Sequence, residues 1–200
     1  MIGLDKRASS AVILVGGNSS RMKTNKALLS FNGKPMLEVI ISKLRPHFEE
    51  ILISSNNPQQ YKYLGLPIFT DYYQNRGPLA GIHSGLKNIT NDSAFFVACD
   101  MPFLNTQLAN LLLARLDGKF DISVPQRDRY LQPLHAAYSK RCLPAIEQSL
   151  QSERPRITSF YEQVHVRYFD FNKHPEFNWN TIFFNVNTPE DYQQAQNVSV

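Results

Sequence analysis

Apolar residues along this chain fall into two kinds of pattern. Ala11-Val-Ile-Leu-Val15 is an unbroken apolar run that stops at Gly16-Gly17. A run without polar alternation predicts a parallel strand buried on both faces, here entering a glycine loop. Ala94-Phe-Phe-Val-Ala98 is a second such run and stops just before Asp100. Ile51–Ser54, Pro67–Thr70, Phe120–Val124, Leu131–Tyr138 and Val164–Phe171 predict further strands. Between them the spacing changes to that of a helix with one apolar face. Leu37, Ile40, Ile41, Leu44 and Phe48 follow Pro35, and Leu79, Ile82, Leu86 and Ile89 follow Gly77-Pro78. Leu108, Leu111, Leu112 and Leu116 mark another helix, and Leu143, Ile146 and Leu150 a further one. Asn56-Asn57-Pro58 breaks a strand and starts a turn or a short helix. Thr188-Pro-Glu-Asp191 reads as a helix start, with Thr at the N-cap, Pro at N1 and an acid at N3.

Strand and helix alternate at least four times, which predicts βαβ units and a mainly parallel sheet with helices on both faces. The class is α/β, and with no visible linker residues 1–200 are expected to form one domain. Ligands of such sheets bind beyond the carboxyl ends of the strands. Gly16-Gly17, Asp71 and Asp100 all fall at those ends.

Composition narrows the class of function. Of 200 residues, 42% are hydrophobic and 19% charged, which fits a globular chain. The net charge of +4 suits an anionic small molecule and is too weak to indicate nucleic acid. Cys99 and Cys142 make no disulfide framework and no CxxC, so a reducing, cytoplasmic compartment is expected. Neither a signal peptide nor a membrane span is visible, because Ala11–Val15 is far too short for either.

Several groups of residues carry candidate chemistry. Gly16-Gly-Asn-Ser-Ser-Arg-Met-Lys-Thr-Asn-Lys26 puts two glycines and three cations behind a strand. Successive N–H groups there form an anion nest, the planar fork of Arg21 suits phosphate oxygens, and Lys26 offers a compact charge to a leaving pyrophosphate. It is neither GxxxxGK[ST] nor GxGxxG. Asp100 either holds a magnesium ion or caps the next turn. Asp71 could bind ribose, base or metal, or simply end a strand. Arg76-Gly-Pro-Leu-Ala-Gly81 either lets a nucleotide lie against backbone or forms a plain turn. Asn185 and Asn187 either bind a polar ligand or satisfy a turn. The five histidines show no ligand spacing, and GxSxG is absent. His135 reads as a partly buried structural histidine.

Taken in order, these segments resemble the molybdenum cofactor guanylyltransferase family. Leu14-Val-Gly-Gly-Asn-Ser-Ser-Arg-Met22 is similar to its LxGGxSxRM signature, Lys26-Ala-Leu-Leu29 to KALL and Asn32-Gly-Lys-Pro35 to NGKP. Asp71, Gly77–Gly81, Cys99-Asp-Met-Pro102 and Asn185–Glu190 match later blocks, so the resemblance spans nearly the whole chain. It implies a Rossmann-like nucleotidyltransferase fold with GTP and a molybdopterin-type cofactor as substrates and Mg2+ as helper ion. Leu14, Val15, Gly16 and Gly17 would line the nucleotide site with Ser54, Asp71 and Gly77. Lys26 would meet the phosphates, Arg21, Lys26 and Asp100 would serve catalysis, and Asp100 would hold the metal. Asn185 and Asn187 would face the pterin substrate, with Arg154 or Arg156 on its phosphate. Molybdoenzymes or cofactor-insertion proteins are the expected onward partners.

Two positions depart from the family's RMGxDK. Lys23 stands where glycine is usual, and Asn25 where aspartate is usual, removing a negative charge beside Lys26. The rival activities are a cytidylyltransferase for the same cofactor, which usually shows LAAG at Leu14–Gly17, and a sugar-phosphate nucleotidyltransferase, which usually shows GxGTR. A non-catalytic nucleotide-binding adaptor is the alternative of another class.

Overall fold

The computed structural model describes residues 9–16 and 25–198. One eight-stranded sheet organises them. Strand β1 (Ser10–Leu14) is followed by a small hairpin of β2 (Ser30–Phe31) and β3 (Lys34–Pro35), then helix α1 (Met36–Leu44) and strand β4 (Glu50–Ser54). Strand β5 (Ile68–Phe69), helix α2 (Pro78–Asn88), strand β6 (Ser93–Ala98) and helix α3 (Thr106–Ala114) complete the first half. The second half holds strands β7 (Ile122–Arg127), β8 (Tyr130–Leu131) and β9 (His135–Ser139), helix α4 (Leu143–Leu150), strand β10 (Val166–Asp170) and helices α5 (Trp179–Ile182) and α6 (Pro189–Gln196).

The sheet runs β10-β7-β9-β6-β1-β4-β5, with β8 paired to β7. Neighbours pair in parallel except around β9, which is antiparallel to both β6 and β7, and at the short β8. The sheet is thus mainly parallel, as the apolar runs predict. Strand β1 lies inside it, between β6 and β4, with all five residues buried. Its Ala11, Ile13 and the following Val15 pack with α1 and α3 on one face, while Val12 and Leu14 pack with α2 and α4 on the other. That two-sided burial is why the run shows no polar alternation.

Helix α2 lies closer to the sheet than side chains normally permit. A Cβ on Gly85 would fall 2.5 Å from Cε1 of Phe96 and 3.2 Å from Cγ1 of Val12. Glycine there sets the depth of the helix against β1 and β6.

The sequence patterns meet the structure with several corrections. Pro35 caps α1 from outside its first turn, and Phe48 lies beyond its end, although it remains buried in the core. Leu116 likewise lies past the end of α3. The expected strand over 131–138 is two strands, β8 and β9, divided at Pro133, which cannot donate to a ladder. The β2–β3 hairpin was not foreseen. Its turn is Asn32-Gly33 with φ of 52° and 77°, the left-handed pair that an Asn-Gly sequence favours. At α6 the expected start is present in full: Thr188 accepts from the Asp191 amide at 3.1 Å, and the Asp191 carboxylate accepts from the Thr188 amide at 2.8 Å.

His135 is fully buried rather than partly so, between the rings of Phe95 and Phe183. Both ring nitrogens lack a hydrogen-bond partner among the described residues. Burial pushes its pKa down from 6.5 to about 3. The folded state therefore holds His135 neutral, while the unfolded chain protonates it below about pH 6.5. Between those values the unfolded state binds the extra proton, so stability falls as pH falls, by up to ~1.4 kcal/mol per pH unit. His135→Leu should flatten the acid limb of stability against pH measured by urea unfolding between pH 6.5 and 4. An unchanged slope would contradict this role for the imidazole.

Candidate functional site

The crossover connections decide where a crevice opens. Helix α1 carries the chain from β1 to β4 over one face, and α2 carries it from β5 to β6 over the other. The carboxyl ends of β1 and β6 therefore face loops that diverge, which is where open α/β sheets bind ligands. Leu14 pairs with Ala98 across these strands and with Ser54 of β4 on its other side. The Cys99 amide donates to the Leu14 carbonyl at 3.1 Å, and the Val15 amide donates to the Ser54 carbonyl at 2.8 Å. Gly16 and Asp100 thus leave the sheet side by side. Gly16 is exposed, and a Cβ on it would meet no atom of the described residues within 4 Å.

A polar cluster forms on each side of this end. In the first, Lys26 Nζ lies 3.6 Å from a carboxylate oxygen of Asp100 and donates to Oδ1 of Asn187 at 2.6 Å. The Val186 amide donates to the Asp100 carbonyl at 2.9 Å, which docks the 185–187 segment directly on the β6 end. The capping carboxylate of Asp191 also accepts from the Asn187 amide at 2.9 Å, so α6 holds Asn187 in place. Burial pushes the Asp100 carboxyl above its ordinary pKa, and Lys26 offsets part of that shift. Asp100 is therefore a desolvated acid with one cation, Lys26, beside it among the described residues.

The second cluster surrounds Asp71. Its carboxylate accepts from Ser54 Oγ at 3.2 Å and from Asn56 Nδ2 at 3.1 Å, and its amide donates back to Asn56 Oδ1 at 3.0 Å. Helix α2 closes the floor. A Cβ on Gly81 would lie 2.9 Å from Cδ2 of Leu14, 3.4 Å from Ser54 Oγ and 3.8 Å from Oδ1 of Asp71. Leu14, Ser54, Asp71 and Gly81 are therefore one packed group at the ends of β1, β4 and β5. A cavity of about 380 Å³ adjoins it, lined in part by Phe69, Thr70, Asp71 and Tyr72. A larger groove of about 500 Å³ lies between the ends of α1 and α3, but none of Lys26, Asp71 and Asp100 lines it, so size alone does not mark the site.

The remaining expected residues are placed differently. Gly77 caps α2 with φ of 67°, a conformation that favours glycine. Arg154 and Arg156 are exposed on the segment after α4, and their guanidinium groups make no hydrogen bond or ion pair within the described residues. Asn185 is half-buried beside Asn187. Gly17, Arg21 and Lys23 lie outside the described residues. Asn56 was missed by sequence reasoning. Its signal was its position just past the β4 end, two residues beyond Ser54, where a polar side chain can reach the next strand end.

Besides lacking the charge of an aspartate, Asn25 has a local structural role. Its side chain caps the short 3-10 turn Lys26–Leu28, accepting from the Ala27 amide at 3.1 Å. Its amide nitrogen reaches Gln60 at 2.9 Å and the Tyr61 hydroxyl at 2.7 Å. The position is therefore a brace under Lys26. Asn25→Ala should cost about 1 kcal/mol, as lost caps do, whereas Asn25→Asp, still able to cap, should stay within about 0.5 kcal/mol. Urea denaturation of both variants checks this; equal losses would contradict the capping role.

Comparisons with known proteins agree with this arrangement. The family described as the MobA-like NTP transferase domain matches residues 11–166. A probable molybdenum cofactor guanylyltransferase of Clostridium perfringens is 40% identical over 188 residues, covering 92% of this chain and 94% of the relative. The molybdenum cofactor guanylyltransferase of Vibrio vulnificus is 37% identical and covers 96% of both chains. The crystal structure of molybdopterin-guanine dinucleotide biosynthesis protein A from Archaeoglobus fulgidus superposes with a TM-score of 0.82 at 26% identity, covering 94% of this chain and 96% of that one. With a parallel sheet that opens at β1 and β6, a matching family over most of its length and relatives of this kind, the chain belongs to the MobA-like nucleotidyltransferases.

Proposed function

We propose that this enzyme transfers GMP from GTP to the terminal phosphate of a molybdopterin-type cofactor and releases pyrophosphate. The observation that carries the reading is the convergence of Lys26, Asp100 and Asn187 at the β1–β6 crevice, beside the Leu14–Ser54–Asp71 group. It is supported by full-length similarity to relatives named for this activity.

The donor nucleotide would lie across the strand ends. Its base and ribose would occupy the side of Leu14, Val15, Gly16, Ser54, Asp71 and Gly77, and its phosphates the side of Gly17, Arg21 and Lys26. A phosphate oxygen of the acceptor attacks the α-phosphorus of GTP, the bond to the β-phosphate oxygen breaks, and the electron pair leaves with pyrophosphate. The acceptor phosphate is an anion near neutral pH, so no side chain has to remove a proton. Catalysis is then positioning and neutralisation of developing charge. Lys26 meets the leaving phosphates, and Arg21 adds a planar fork to them. Asn187, held by Lys26 and Asp191, and its neighbour Asn185 would orient the acceptor.

The residues fit a magnesium ion. This cation takes one or two carboxylates and completes its shell with waters and substrate phosphates. Asp100 offers one carboxylate whose pKa is raised by burial and drawn back in part by Lys26. Asp100 would hold the ion, and the bound ion would supply charge neutralisation on the phosphates. The two buried, free cysteines and the absence, among the described residues, of a helix long and apolar enough to cross a membrane agree with a cytoplasmic setting. Product would pass to molybdoenzymes or the proteins that load them.

The test is turnover with GTP, magnesium and molybdopterin-type cofactor, read as pyrophosphate release and as the mass of the product. Asp100→Ala should lower kcat by roughly 10²-fold or more while the variant unfolds cooperatively like the parent. A near-normal rate in that variant would remove Asp100 from the site. Transfer of CMP from CTP in place of GMP would move the enzyme to the cytidylyl branch, and nucleotide binding without pyrophosphate release would favour an adaptor.

A further inference from the structure

The turn that carries Lys26 is held at both ends by segments distant in sequence. Before it, the Asn25 side chain reaches Gln60 and the Tyr61 hydroxyl. After it, the chain enters β2 at Ser30, whose carbonyl accepts from two side chains of α6. One donor is the Tyr192 hydroxyl, and the other is Nε2 of Gln196 at 3.0 Å. A spacing of four puts both donors on one face of the helix, a turn apart. Between these anchors the Leu29 amide donates to the Lys26 carbonyl at 3.1 Å, and the Met36 amide to the Leu29 carbonyl at 2.8 Å. Ser30 is thus where the C-terminal helix grips the chain just past Lys26.

The same helix holds the partner of the Lys26 ammonium. The Asp191 carboxylate accepts from the amides of Asn187 and Thr188 at 2.9 and 2.8 Å, and Asn187 Oδ1 accepts from Lys26 Nζ at 2.6 Å. Asp191 and Tyr192 are neighbours, so adjacent residues of α6 fix Asn187 and Ser30 at once. The contacts close a ring that runs from Ser30 back to Lys26, across to Asn187, on to α6 and back to Ser30. The Val186 amide pins this ring to the Asp100 carbonyl at 2.9 Å. A separate apolar cluster supports it: Phe31, Met36, Phe103, Val186 and Ala195 are buried together, and Tyr192 packs against them. The cluster draws on the first crossover, the loop after β6 and the C-terminal segment, which are the parts of the chain that carry Lys26, Asp100 and Asn187.

We infer, on the guanylyltransferase reading above, that α6 is a clasp and that Tyr192 and Gln196 are positioning residues for Lys26: by holding Ser30 they set the ammonium beside Asp100 before the donor's phosphates arrive. A lysine side chain loses much rotamer freedom when it is fixed. A backbone fixed on both sides of Lys26, with Asn187 already on Nζ, leaves less to be ordered when phosphate binds. Opening the clasp should therefore weaken the hold on the triphosphate only through Lys26.

The experiment is a double-mutant cycle on the full chain between Lys26→Met and the pair Tyr192→Phe/Gln196→Ala, read as the Kd of GTP with magnesium by calorimetry. Tyr192→Phe keeps the ring that packs on the apolar cluster and removes only the hydroxyl, and Gln196 is exposed, so the pair should still unfold cooperatively. With both hydrogen bonds gone, the pair should weaken GTP binding about tenfold, and each single change, which leaves one donor on Ser30, about threefold. In the Lys26→Met background the pair should change the Kd by less than about twofold, because the group that the clasp positions is gone. Amide hydrogen exchange of the ligand-free pair should quicken over residues 26–31. A full tenfold loss in the Lys26→Met background would mark a general structural effect and overturn the inference, as would parental binding by the pair or unchanged exchange over 26–31. Failure of the parent protein to bind GTP would instead defeat the functional reading, and the exchange measurement would still decide whether α6 holds the turn of Lys26.

Discussion

Everything in this site depends on the in-register pairing of β1 with β4 on one side and β6 on the other. Three parallel strands buried on both faces cannot slip by one residue without driving their core side chains onto the wrong face. Leu14, Ser54 and Ala98 are thereby fixed in one row. The residues just past that row, Gly16 and Asp100, must emerge together, and β5 brings Asp71 up beside them. Because α1 and α2 cross on opposite faces, the loops at this row part and leave the crevice open. Hydrophobic packing thus sets the spacing of the polar groups, while their chemistry is left to a few residues in the loops.

Charge within the crevice is divided between two sides. Among the described residues the Asp71 carboxylate accepts from a hydroxyl and an amide, those of Ser54 and Asn56. Asp100 has a cation, Lys26, and is buried enough that its carboxyl is raised. A neutral, hydrogen-bonded carboxylate environment suits the donors of a base or ribose, and an electron-rich, desolvated one suits a metal on phosphates. Asn187 links the second side to the C-terminal segment, so the chain's last helix contributes to a site that its first strand begins.

Much of this was legible in the sequence. The unbroken apolar runs of β1 and β6 announced central strands, and the acids and glycines behind them marked the crevice. Thr188-Pro-Glu-Asp191 announced a capped helix because its hydrogen bonds are local. What escaped was set by contacts between distant segments. The grip of Asn56 on Asp71 requires β4 and β5 to be neighbours, which no local pattern states. Asn25 was legible only for the charge it lacks; its bond to Tyr61 depends on tertiary packing. The direction of β9 was not legible either: it runs against both neighbours, and the short connection around Pro133 leaves no room for a crossover. The bonds from Arg76 to the carbonyls of Ser152 and Glu153 span over seventy positions and leave no periodic trace.

The central claim is that the β1–β6 crevice is the donor site, with phosphates at Lys26 and Asp100 and the base toward Ser54 and Asp71. The most direct measurement is a crystal structure of the protein with GTP and magnesium. The account predicts the triphosphate and the ion between Lys26 and Asp100, with guanine lying along Leu14 and Gly16 toward Asp71. A nucleotide bound instead in the groove between α1 and α3, or one whose phosphates lie away from Asp100, would contradict it.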